Sequence, residues 1–347
     1  IGRYQDYIEM EQVNTQYDLQ ERILPIDTEK QNDILIEIDG NQFSNNDFRV
    51  LQTLSEILDN DDELQKDIPN EFEIENLIVT GGAGFVGTNL IRRLLKSGHT
   101  VTSIDDYSTG KTENHLDGCE YLNYDIRDIH GYDGLHYHKP DVIFHLAATA
   151  RIQPSFKDPK TYFTTNANGT LNIADYCANN NIPLIYAGSS SHHSGKFSNP
   201  YTFSKDIGEE VIKLYQDQFN LKCSIARFYN VYGPYQLTEG GYTTLIGKWL
   251  NNIKTEMPCD IFGTGEKRRD FTHVDDIVDA LIRIMQQQSY GHIFELGRGK
   301  NYSINEVAKM FGIIPWYQPD KPGEAHNTLA DNTLACDILA WEPKINL

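Results

Sequence analysis

Tyr201 and Lys205 stand four residues apart, a spacing that puts a phenol and an ammonium on one face of a helix. A phenol titrates near pH 10 and is a poor base at neutral pH. A nearby positive charge favours the phenolate, so the pair can take a proton from a hydroxyl group or return one. Ser190, eleven residues before Tyr201, can hold the same oxygen. Its neighbours Ser189 and Ser191 offer the same hydroxyl chemistry.

Such a pair is common by chance and gains meaning from what precedes it. Gly81, Gly84 and Gly87 form a GxxGxxG turn between an apolar run, Asn76 to Thr80, and a stretch of helical periodicity. In such a turn the first glycine permits the tight bend, the second lets a pyrophosphate approach the backbone, and the third lets helix and strand pack closely. Phe85 and Val86 open the helix, whose N-terminus attracts phosphate. The next apolar run ends at Asp105-Asp106, where a carboxylate can accept both ribose hydroxyls of an adenosine. It would repel a 2′-phosphate, and no arginine follows until Arg127, so the expected cofactor is NAD. Asp125 and Ile126 close a third run, placing a carboxylate for the adenine amino group and an aliphatic chain for its ring. A hydroxyl-bearing substrate carbon beside a bound nicotinamide would then exchange hydride with it.

These groups need a scaffold, and the pattern from Ile74 onward supplies one. Candidate strands are 77–80, 100–104, 119–123, 142–146, 183–187 and 222–227, alternating with helical periodicity over 86–96, 161–177, 201–219 and 274–285. That alternation predicts an α/β fold, a Rossmann-type doubly wound parallel sheet covered on both faces. Beyond Tyr232 the units shorten, which predicts a smaller C-terminal α/β substrate lobe over the strand ends. The expected organisation is an acidic extension at 1–72, a NAD-binding domain at 73–232, and a discontinuous substrate-binding lobe over most of 233–347.

Charge sets the extension apart. Residues 1–75 carry 20 acidic against 5 basic side chains, −15 of the chain's −20. An acidic exterior excludes a nucleic-acid partner, which needs a basic face. Residues 34–38 alternate apolar and acidic like a short strand, and a helix start is expected at Ser44–Asp47, ahead of apolar residues from Val50 to Leu58. No apolar run is long enough to span a bilayer, and no secretion signal opens the chain. The five cysteines are odd in number and widely spaced, which suits reduced thiols in the cytoplasm rather than a disulfide frame or metal site. No metal is expected: His136 and His138 have no further ligands near them in sequence. Starting at Ile1, the chain reads as trimmed or processed.

From Ile74 on, the chain resembles the extended short-chain dehydrogenase/reductase family, in its NAD-dependent nucleotide-sugar epimerase/dehydratase group. The matching pieces include TGGAGFVGTNL (80–90), IDDYSTGK (104–111), HLAATA (145–150), GSSS (188–191), PYTFSK (200–205), RFYNVYGP (227–234) and GTGEKRRDFTHVDDIVDAL (263–281). The resemblance implies that His145, Leu146, Ala147 and Ala148 line the cofactor and that Asn166 supports the adjoining helix and strand. It implies that Asn230 and Arg269 bind the substrate diphosphate, with Lys321 in place of a common arginine and therefore a weaker hold. Thr328 stands where a residue limits sugar size. The family often dimerises through the helices that here are 161–177 and 201–219, which implies a homodimer.

The motifs point to inversion at C4 of a UDP-hexose. Dehydration, reduction or decarboxylation of a nucleotide sugar are the alternatives, and a non-catalytic NAD-binding scaffold is a second one. Dehydratases and decarboxylases of the group carry carboxylates after the catalytic serine or threonine, whereas none occurs here between Asp175 and Asp206. The usual VYG is replaced by Ser191-His192-His193-Ser194-Gly195, and the loop to Tyr201 is short. His192 and His193 are expected to pack the loop. The chain stops at WEPKINL, where the family continues into another helix, which reads as a truncated or minimal version.

Overall fold

A computed structural model describes residues 75–128 and 138–347, together with two short strands, Ile36–Ile38 and Asn41–Phe43. The chain divides into two units, Ile1–Phe72 and Glu73–Leu347. In the first unit the two strands pair antiparallel, Ile36 opposite Phe43. The helix expected from Ser44 lies outside the described residues, as does His136.

The second unit is built on seven parallel strands. They are β1 (Asn76–Thr80), β2 (Thr100–Asp105), β3 (Cys119–Asn123), β4 (Val142–His145), β5 (Leu184–Ser189), β6 (Cys223–Phe228) and β7 (Ile293–Leu296). Their order across the sheet is β7-β6-β5-β4-β1-β2-β3. The order reverses between β1 and β4, and a crevice opens there at the strands' C-terminal ends. Four main helices cover the faces: α1 (Phe85–Lys96), α2 (Thr170–Asn180), α3 (Pro200–Phe219) and, after a short helix in the lobe, Val274–Gln286. No helix among the described residues is long and apolar enough to cross a membrane.

The central strands are apolar throughout because both faces are buried. Leu77, Val79, Phe144 and Ile185 pack with Leu90, Leu94 and Ile277 on one side. Ile78, Ile143, Leu184 and Tyr186 pack with Ile173 and Ile212 on the other. A separate cluster around Trp249, Ile261, Phe271 and Val307 holds the C-terminal lobe together.

Two features depart from the sequence expectation. The sheet has a seventh strand, β7, parallel to β6, so part of the chain after Tyr232 returns to the main sheet. The helix expected over 161–177 runs from Pro159 to Asn180 and is broken by a π turn at Thr164–Gly169.

Candidate active site

The turn after β1 is shaped by two glycines. Gly81 has φ +72°, and a Cβ there would lie 2.9 Å from the Ala147 backbone. A Cβ on Gly87 would lie 2.2 Å from the Gly81 carbonyl oxygen, so only glycine lets α1 pack this close to the turn. Gly84 is the N-cap of α1 and has no side chain to cap it. The first-turn amides of Phe85, Val86 and Gly87 therefore face the crevice as donors for an anion. A cleft of about 1050 Å³ starts at this turn, at the upper end of single-ligand pockets.

Gly81, Gly84, Phe85, Val86, Gly87, Asp105, Asp106, Ile126, Leu146, Ala147 and Ala148 all line the cleft. Asp105 also shapes the turn: its carboxylate accepts the amides of Ala83 at 3.0 Å and Tyr107 at 2.9 Å. Burial raises its pKa, against these hydrogen bonds. The donor set suits a dinucleotide: open helix amides for the pyrophosphate, a carboxylate for ribose hydroxyls, and an apolar wall at Ile126.

Two expected cofactor contacts are placed otherwise. Asp125 does not line the cleft; Arg127, two residues on, binds its carboxylate with Nε at 2.9 Å from both oxygens. That guanidinium holds the Asp125 pKa below its ordinary value. His145 is buried beneath the cleft, where Nδ1 meets the Thr80 hydroxyl at 2.7 Å and Nε2 the Thr170 hydroxyl at 3.1 Å. Burial lowers its pKa to about 3, so it stays neutral. Asn166 is a clamp: its amide accepts from the Thr149 N–H at 2.8 Å and donates to the Thr149 carbonyl and the Ser204 hydroxyl, both at 2.9 Å. It thereby ties the loop after β4 to α3, through the π turn.

Asn199 and Pro200 start α3: the Asn199 side chain accepts the Thr202 amide at 2.8 Å, and proline occupies the first helical position. Tyr201 thus lies in the first turn, with Lys205 one turn on. A buried set of ion pairs, Arg227 with Glu209 and Glu295, pins α3 to the sheet. The serine that meets Tyr201 is Ser189, not Ser190: the Tyr201 hydroxyl donates to Ser189 Oγ at 3.1 Å. Ser189 is the last residue of β5, whereas Ser190 opens a 3₁₀ turn and lines the same cleft. Ser191 is tied to Ser189, hydroxyl to hydroxyl, at 2.9 Å.

Lys205 lines the cleft but does not bond Tyr201. Its Nζ donates to the Ala187 carbonyl at 2.6 Å and lies 4.3 Å from the Tyr186 ring centre. Burial lowers its pKa to about 8. Burial raises the Tyr201 pKa, while the Ser189 hydrogen bond and the positive charge of Arg151 lower it. Arg151 was not expected from the sequence. The available signal was a cation directly after the small-residue run 147–150.

Asn230, Arg269, Lys321 and Thr328 line the cleft from the C-terminal lobe. Asn230 Nδ2 donates to the Asp270 carbonyl at 3.1 Å and to Thr328 Oγ1 at 3.2 Å. Arg269 faces Glu324 at 3.6 Å, and Lys321 Nζ lies 3.4 Å from the Phe262 ring centre. His192 and His193 do not line the cleft: they bond Asp206 and Glu295, each at 2.9 Å.

A sequence model of the NAD dependent epimerase/dehydratase family matches residues 77–297. The chain is 32% identical over 297 residues to a UDP-glucose 4-epimerase of Mycolicibacterium smegmatis, covering 78% of this chain and 94% of that one. It is 28% identical over 295 residues to UDP-glucuronic acid decarboxylase 2 of Arabidopsis thaliana, covering 78% and 65%. Among solved structures, the UDP-glucose 4-epimerase of Thermotoga maritima with UDP-glucose superposes with a TM-score of 0.74 at 27% identity, covering 78% and 94%. The Thermus thermophilus UDP-glucose 4-epimerase complexed with NAD gives 0.72 at 26%, covering 78% and 94%.

Proposed function

We propose that this chain, which belongs to the NAD-dependent epimerase/dehydratase family, inverts C4 of a UDP-linked hexose through a transient 4-keto sugar. The observation that carries this reading is the chemistry beside Tyr201. Between residues 187 and 205 the cleft is lined by the hydroxyls of Ser189, Ser190, Ser191, Ser194 and Tyr201, with Lys205 the one ionised group. With Ser189 as the serine of the site, the two residues after it are Ser190 and Ser191. Expelling a neighbouring hydroxyl or handling a carbanion calls for an acid–base pair there, and hydroxyls do not supply one.

NAD would be held by the α1 amides, Asp105 and the wall of Ile126 and Leu146 to Ala148, and would supply the redox partner for the C4–H bond. Tyr201 takes the proton from the O4 hydroxyl and returns it. Ser189 holds the Tyr201 oxygen and the sugar oxygen in one plane of hydrogen bonds. Lys205 adds the positive charge that favours phenolate. Asn230, Arg269 and Lys321 hold the diphosphate, the arginine by its planar fork. Thr328 bounds the sugar, its hydroxyl already fixed by Asn230. Incubation with UDP-, GDP-, dTDP- and ADP-hexoses, with products resolved by NMR, tests this. The expected product is the C4 epimer of a UDP-sugar; a dehydrated ketone, a pentose or no product contradicts the reading.

A homodimer through the helical run 159–180 and α3 accompanies it. Phe163, Phe197, Leu171 and Leu214 are exposed there, Phe197 at 84%, and Phe203 stacks with both Phe163 and Phe197. Sedimentation should show a dimer that Leu171→Glu with Leu214→Glu converts to monomer; an unchanged profile rejects this surface. The five cysteines are free, which suits a reducing cytoplasm.

A further inference from the structure

Arg151 sits in the cleft at an energetic cost. Its φ of +81° is a conformation that side-chain-bearing residues rarely adopt; such a residue is strained and persists where its surroundings impose it. Glycine would be unstrained there, so the side chain has a reason to be present. Among the described residues the guanidinium makes a single hydrogen bond, from Nε to the Tyr242 carbonyl at 3.0 Å. No carboxylate among them acts on it. Its charge is felt instead by the phenols of Tyr201 and Tyr162, which places it at the reacting end of the cleft.

Three other cations of the cleft each have a carboxylate. Arg269 faces Glu324, Lys248 bonds Asp260 at 2.8 Å, and Lys267 bonds Asp320. A buried charge without a counter-ion is costly. An arginine that is strained, partly buried and short of a carboxylate beside the base is therefore suited to a negative group on the ligand. In the proposed arrangement the cofactor pyrophosphate lies at the α1 amides and the substrate diphosphate at Arg269 and Lys321, so the anion facing Arg151 belongs to the sugar.

We propose that Arg151 recognises a carboxylate on the hexose ring, so that the preferred substrate is a nucleotide-linked hexuronate rather than a neutral hexose. This rests on the nucleotide-sugar reading above. The two terminal guanidinium nitrogens suit a carboxylate in bidentate fashion.

The test is binding to the full-length Tyr201→Phe protein loaded with NAD, measured by calorimetry with UDP-glucuronate and UDP-glucose. UDP-glucuronate should bind roughly tenfold to a hundredfold more tightly, the range for a charge-assisted hydrogen-bonded pair. Adding Arg151→Gln or Arg151→Gly should bring the ratio to within about threefold of one, with Arg151→Lys intermediate. Arg151→Gly should also melt no lower than its parent, because glycine relieves the strained φ. A ratio at or below one, a preference that survives loss of Arg151, equal weakening of both sugars, or binding of neither overturns the inference. Failure of the epimerase reading shows separately, as absence of a C4 epimer from the unsubstituted protein, and leaves the affinity ratio readable.

Discussion

The wall of the cleft made by β1, β4, β5 and α3 takes its functional groups from strand ends and one helix face, whereas the opposite wall takes Asn230, Arg269 and Lys321 from turns and short strands. On the first wall, Ser189 is fixed by the end of a buried strand, and Tyr201 and Lys205 by a helix pinned through Arg227, Glu209 and Glu295. On the second, cations are held by neighbouring acids, as Arg269 is by Glu324. Rigid elements fix atoms to the fraction of an ångström that proton transfer demands. Paired charges lining a cleft hold a flexible anion and tolerate looser geometry. The first wall should therefore govern kcat and the second KM.

The largest effect that separates the walls is Tyr201→Phe. Turnover should fall about 10³-fold or more, the range for loss of a positioned acid–base group, while NAD bound per chain, read by absorbance after denaturation, stays unchanged. Next comes the choice between adjacent serines. Ser189→Ala should lower kcat about 10–100-fold by removing the hydrogen-bond partner of Tyr201, whereas Ser190→Ala should stay within about threefold; the reverse order would restore Ser190 to the site. Arg269→Gln should raise KM about tenfold with kcat nearly kept, as expected for uniform binding; a kcat loss of that size would erase the division between walls.

A pH effect sharpens the same contrast. Burial has brought Lys205 from the ordinary 10.5 down to about 8. Its ammonium is present below that pH and lost above it, so kcat/KM should decline as pH rises past about 8. Lys205→Arg, charged throughout, should remove that limb from whatever activity remains. A profile flat to pH 10 in the unsubstituted protein would show that the ammonium is not needed.

The first wall was legible in the sequence and the second much less so, for physical reasons. Strands β1, β2, β4, β5 and β6 are largely buried and, with the half-exposed edge strand β3, read as short runs bounded by turns; each was placed to within about two residues. The glycine turn is dictated by close backbone contacts that a Cβ would violate. β7 escaped notice because its four residues include Glu295, which the fold pairs with Arg227 and Tyr229. The π turn has no side-chain period to betray it. Three serines in a row carry no phase, and only the end of β5 shows that Ser189 faces Tyr201. The carboxylate of Asp125 is bound by the guanidinium two residues on, which the run of residue types does not reveal. Arg151 depends on a backbone angle that side-chain pattern does not encode.

The central claim is that Tyr201 moves a proton on oxygen while the hydrogen on C4 stays out of contact with water. Incubating the protein with UDP-hexose carrying deuterium at C4, and reading the epimer by NMR, tests it directly. The account predicts the label kept at C4 of the inverted sugar, with no solvent hydrogen at C4 or C5. Loss of the label to water, or solvent deuterium entering the ring from D₂O in the converse experiment, would contradict it.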